Sequence, residues 1–267
     1  MIEQNRRKMV IAGITLGLFL SALESTVVAT AMPTIVASFG GLSIYSWVFS
    51  GYLLSSTITM PLWGRLSDLH GRRKLFLIGV FIFTVGSALC GLSRSMHQLV
   101  FFRFVQGIGA GAVMPLTFTI IGHIFSLEQR AKMQGLLSGV WGVASLAGPF
   151  IGGYLADHLS WRWVFYINVP FSMVSLFLIY RGLEGESHNE SHKGYLDAYG
   201  TLTFAGAVLS LLIGLSIFVR SPGLSAALFA VSALLIFVYI RMESRAEHPI
   251  IPLKLFKIRI FSSAQAA

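Results

Sequence analysis

Two ionisable side chains stand inside long apolar runs, where charge is costly. Glu24 lies in the run from Met9 to about Met32, about 7 residues from its far end, or roughly 10 Å deep at 1.5 Å per residue. Arg103 lies in a later run, about 5 residues from its near end, or roughly 8 Å deep. Those two ends share one side of the membrane, so the opposite charges lie at matched depth. A carboxyl beside an arginine in a low-dielectric setting has two workable states, an ion pair and a protonated acid. A group that alternates between them can carry a proton. Two plainer readings stand beside this one: a purely structural ion pair, and an Arg103 that snorkels to the near surface.

Other strings carry shape rather than reactivity. Gly64-Arg65-Leu66-Ser67-Asp68-Leu69-His70-Gly71-Arg72-Arg73-Lys74 joins two apolar runs. Its glycines let two helices approach closely, and Asp68 beside Arg65, Arg72 and Arg73 can form a charge network at the membrane edge. Gln106, Gly107, Gly109 and Gly111 follow Arg103. Gly139, Gly142, Gly148, Gly152 and Gly153 make a grooved face on another run, and Pro149 among them favours a kink. Cys90 is the single cysteine, so neither a disulfide framework nor a cysteine metal site is available. His70, His97, His123, His158, His188, His192 and His248 sit in loops or near run boundaries, and none is assigned to a metal. Trp47, Tyr52, Trp63 and Trp141 are candidates for substrate contact, with interface anchoring or packing as the ordinary role. No nucleophile–base arrangement, metal spacing or nucleotide loop is present, so no enzyme is expected.

The elements that must position these residues follow from composition. Of 267 residues, 55% are hydrophobic and 12% charged, with mean hydropathy +0.74; a soluble domain carries about 25% charge. Runs approaching the roughly 20 apolar residues needed to cross hydrocarbon recur along the chain. Eight spans are expected, near 9–31, 47–66, 75–93, 98–121, 135–156, 163–181, 199–219 and 224–241. The first is too long for a signal-peptide core of roughly 7–15 residues. The formal charge of +9 does not mark a nucleic-acid binder, because basic residues alternate between loops instead of lining one face. Sixteen Lys and Arg fall on one side, three on the other, and Arg103 within a span. The positive-inside rule then places both termini in the cytoplasm.

Several strings resemble signatures of the major facilitator superfamily. The Gly64–Lys74 string is similar to the widespread G-x-L-x-D-x-x-G-R-R/K motif, which implies a conformational role through contact with a C-terminal half. The string from Arg103 through Gln106, Gly107 and Gly109 resembles R-x-x-Q-G-x-G-A, whose arginine is linked to proton coupling. Gly148-Pro149-Phe150-Ile151-Gly152-Gly153 resembles the antiporter signature of exporter branches. Leu23 to Pro33 resembles L-D-x-T-V-V-N-x-A-L-P of the fourteen-span drug:proton antiporters, with Glu24 for the usual Asp and Thr30 for the usual Asn. The Trp161–Pro170 and Leu196–Gly200 strings resemble the same branch.

The resemblance implies an all-α integral membrane fold. Residues 1–182 form the six-helix N-terminal half, built from two inverted three-helix repeats. A polar cytoplasmic linker over 183–198 precedes two further transmembrane helices over 199–241, and a cytoplasmic segment over 242–267 leads to a missing ninth span. The implied activity is proton-coupled export of amphipathic, cationic drugs or other small molecules across the cytoplasmic membrane. It runs on the proton gradient without a cofactor. The implied partners are substrate, protons, lipid and an absent C-terminal half. Export of another metabolite, siderophore or antibiotic, and a truncated non-transporting membrane protein, remain as alternatives.

Overall fold

The computed structural model describes residues 2–184, 198–218 and 221–243. The chain divides into two units, Met1–Ser191 and His192–Ala267. Most of the expected linker and the final segment, with His188, His192 and His248, lie outside the described residues. The first unit contains α1 (Ile2–Phe39), α2 (Ser46–His70), α3 (Arg72–Leu92), α4 (Met96–Ile124), α5 (Leu127–His158), α6 (Trp163–Tyr166) and α7 (Asn168–Gly182). The second contains α8 (Ala198–Ile217) and α9 (Pro222–Glu243).

Local chemistry sets the helix ends. Gly71 separates α2 from α3 with φ of 90°, a conformation that costs glycine nothing and a side-chain-bearing residue much. Ser95 caps α4 by accepting from the Gln98 N–H at 3.3 Å. Ser126 and Gln129 form a reciprocal capping box at the start of α5. The hydrogen-bond ladder of the sixth expected span is interrupted at Ile167, between α6 and α7, although Ile167 keeps helical dihedrals of φ −58° and ψ −30° and the stretch Trp163–Gly182 runs as one apolar helix. Pro170 explains the interruption, since it has no N–H for the Tyr166 carbonyl four residues earlier and its ring crowds that carbonyl. Pro149 produces no such interruption, for α5 runs through it as one helix.

Among the described residues, six stretches are long and apolar enough to cross a membrane: α1, α3, α4, α5, α9, and α6 with α7 counted together. The other two expected spans differ in instructive ways. The helix α8 runs 20 residues, Ala198–Ile217, with Leu202–Ile217 as its apolar part among the described residues. At 25 residues α2 is long enough, but its hydroxyls and charged end lower its hydropathy. Those hydroxyls bond to their own helix, Ser55 to Gly51 O at 2.9 Å and Thr59 to Ser55 O at 2.7 Å, which removes the cost of their polarity in a bundle.

In the first unit α4 is wedged between α2 and α3, and α1 packs on α5 and α7. Glycines make the wedge possible. A Cβ at Gly107 would collide with Ser55 Oγ and the Tyr52 carbonyl, and one at Gly111 with Thr59 Oγ1. On the α3 side, a Cβ at Gly109 would lie 2.6 Å from Gly79 O, and one at Gly86 would lie 2.5 Å from Gln106 Cα. Large apolar side chains such as Phe101, Leu146 and Phe150 stay exposed on the outside, as suits helices solvated by hydrocarbon. In the second unit α8 and α9 pair antiparallel, with Ser225 donating to Gly214 O and Ser232 to Ala207 O.

The close seams generate a stability prediction. Gly86→Val and Gly109→Val push a side chain into backbone and should each destabilise the bundle by about 1–3 kcal/mol. Gly142→Ala faces nothing within 4 Å and should leave stability within about 0.5 kcal/mol. Thermal unfolding of purified protein in detergent separates the two classes.

Candidate functional site

An arginine inside a membrane protein must find partners, because its guanidinium can only donate and cannot shed its charge. Arg103 finds four. Its Nη1 donates to Glu24 Oε1, making the ion pair, and to Gln106 Oε1 at 2.8 Å. Its Nε donates to the Val48 carbonyl at 2.9 Å. The guanidinium carbon lies 4.1 Å from the centroid of the Tyr52 ring, a cation–π contact. Arg103 and Glu24 are each only 1% exposed, so the arginine does not snorkel. The two charges are in contact, as depth alone did not require.

The carboxylate is held from its other side as well. Asn168 Nδ2 donates to Glu24 Oε2 and, at 3.0 Å, to Ser87 Oγ. Ser87 in turn donates to the Phe165 carbonyl at 2.9 Å, beside the interruption between α6 and α7. Cys90 donates to Gln106 Oε1 at 3.6 Å. The cluster thus draws one residue or more from α1, α2, α3, α4 and α7. Asn168 and Ser87 were not singled out from sequence as site residues. The available signal was an amide inside an apolar run, two residues before a proline.

The remaining expected residues lie elsewhere. Gln106 joins the cluster, whereas Gly107 and Gly109 serve the α2 and α3 seams. Gly148 and Gly152 meet Thr26 and Thr30 of α1, while Gly153 faces open space. Thr30, standing where an Asn is usual, donates to its own Val27 carbonyl at 2.8 Å and fits against Gly152. Gly64 also faces open space, so close approach in this unit does not require it. Asp68 is exposed in the last turn of α2, and the described residues hold no ion pair at it. Arg73 instead donates to the Tyr180 carbonyl at 2.7 Å and covers that ring; Arg65 also has an interaction partner, and Arg72 opens α3. Of the aromatics, Tyr52 lies under Arg103, Trp63 donates to Ile108 O at 2.8 Å, and Trp141 is partly exposed. Among the described residues no group of three or more His, Cys, Asp or Glu could hold a metal.

Residues 14–244 match the family model described as Major Facilitator Superfamily. The chain belongs to the major facilitator superfamily. Among curated relatives of this major facilitator chain, the multidrug transporter protein MdtP of Bacillus subtilis is 42% identical over 264 residues, covering 97% of this chain and 48% of that one. Multidrug resistance protein 3 of the same organism is 39% identical, covering 98% and 52%. The efflux pump dotC of Dothistroma septosporum is 36% identical, covering 92% and 44%. The chain therefore spans about half the length of the curated relatives it matches. A solved structure of the POT family transporter PepTSo aligns with TM-score 0.58 at 15% identity, over 88% of this chain and 52% of that one, a likeness of fold. With its apolar helices, the chain is a multi-pass membrane protein.

The buried pair makes an asymmetric prediction. Arg103→Met leaves Glu24 without its counter-charge and should cost about 3–5 kcal/mol of stability, while Arg103→Met combined with Glu24→Gln should recover most of the loss. Denaturant or thermal unfolding of the three proteins in detergent checks this.

Proposed function

We propose that the complete protein is a proton-coupled antiporter. It exports amphipathic, cationic drugs or related small molecules across the cytoplasmic membrane, with both termini of this chain in the cytoplasm. The observation that carries the reading is the buried Glu24–Arg103 pair, lying in a bundle whose relatives are named multidrug transporters and efflux pumps.

The chemistry runs through this chain's own groups. Glu24 alternates between the arginine-paired carboxylate and the protonated acid, and its charge attracts a cationic substrate. Arg103 stays in place through both states, since Val48 O, Gln106 and Tyr52 hold it independently of Glu24. The driving force is the proton gradient, and no cofactor is invoked. A second six-helix bundle completes the pathway, and the loop residues Arg65, Asp68, Arg72 and Arg73 serve the conformational change against it. The α1–α5 seam at Gly148 and Gly152, next to Pro149, is where the two helices can adjust as the pathway closes.

The test is drug-dependent proton uptake in vesicles carrying the full-length protein. Glu24→Gln should reduce it to the level of vesicles without the protein. Intact coupling in the glutamine variant sinks the assignment. Competition against a panel of cationic, neutral and anionic amphiphiles tests the substrate class, with cations expected to compete best.

A further inference from the structure

The Glu24 carboxyl meets different needs in its two states. As a carboxylate it wants donors; as an acid it must also place its own O–H on an acceptor. Arg103 can serve only the first state, because a guanidinium has no acceptor. An amide can serve both, by offering Nδ2 or, turned over, Oδ1. Asn168 is such an amide. It is 1% exposed, bonded to Glu24 Oε2, and contributed by the helix that starts at the interruption in the sixth span.

Its orientation is itself controlled. Ser87 commits its hydrogen to the Phe165 carbonyl, so its oxygen presents a lone pair to Asn168. That lone pair accepts from Nδ2 and would repel Oδ1. The Phe165 carbonyl, the serine and the amide therefore form a chain that turns a donor toward the carboxylate. The ionisable groups around Glu24 in the described residues are Arg103 from α4, Tyr52 from α2 and Cys90 from α3, and none of them is contributed by α6 or α7.

We propose that Asn168 is a positioning residue for the transported proton, setting the proton affinity of Glu24 through a donor that Ser87 orients. The inference rests on the proton-coupling reading of Glu24 for its meaning, but its geometry can be tested apart from transport. Loss of the Asn168 donor removes a hydrogen bond that is stronger to the carboxylate than to the carbonyl oxygen of the neutral acid. Proton affinity should then rise about tenfold, as befits one charge-assisted bond. Asn168→Asp adds a like charge and should raise it further.

The experiment titrates the Glu24 carboxyl stretch by infrared difference spectroscopy of full-length protein in lipid, with Glu24→Gln identifying the band. The midpoint should move about one pH unit upward in Asn168→Leu, further in Asn168→Asp, less in Ser87→Ala, and back toward the parent value in Asn168→Gln. The pH profile of efflux should shift in the same order. A midpoint unchanged in folded Asn168→Leu and Asn168→Asp overturns the proposal whatever efflux does. A midpoint that moves while the efflux profile stays fixed upholds the positioning role and removes the coupling reading of Glu24 instead.

Discussion

An arginine held in the interior of a helix bundle constrains everything around it. Arg103 needs a counter-charge, carbonyls and a ring face within a few ångströms, and these come from different helices. Helices can deliver them only if their axes come close, which the glycines on α3 and α4 allow. The glycine seams and the polar cluster are thus one design. Gly107 brings the Tyr52 turn of α2 against α4, and the same turn carries the ring beneath the guanidinium. Gly86 brings α3 against Gln106, next to Ser87, which receives Asn168.

The cluster divides into a fixed part and an adaptable part. Arg103 is pinned by a backbone carbonyl and an aromatic face whose character does not depend on protonation. Glu24 is gripped at both oxygens by groups of different kinds, one permanently cationic and one amphoteric in hydrogen bonding. Such a division suits a site whose charge must change while its frame does not.

Much of this was legible from residue types and spacing. Glu24 and Arg103 announced themselves because charge inside an apolar run demands a reason, and their matched depths followed from helical rise. The glycine strings foretold close packing, but not which helix each glycine would meet. Gly64 and Gly153 show that the same residue type can face open space. The contact between Glu24 and Arg103 was beyond reach, because rise fixes depth and not lateral distance. Asn168 stood within the Trp161–Pro170 string but was given no site role, and Ser87 was passed over, because a single amide or hydroxyl in a membrane helix is unremarkable until its neighbours are known. The span near 47–66 was legible despite its hydroxyls, which are satisfied within their own helix α2.

The spacing of the cluster along the chain has a consequence for biosynthesis. Glu24 is made first, its arginine follows 79 residues later, and the asparagine 144 residues later. At about 5–20 residues per second, the first helix waits roughly 4–16 s for its counter-charge and about twice that for its amide. Through that interval α1 carries an unmatched acid that discourages its release into lipid. Its carboxyl has its full set of partners only when α4 and then α7 have been made. Assembly of the bundle is therefore ordered around one side chain, with the last hydrogen bond closed by the last helix of the unit.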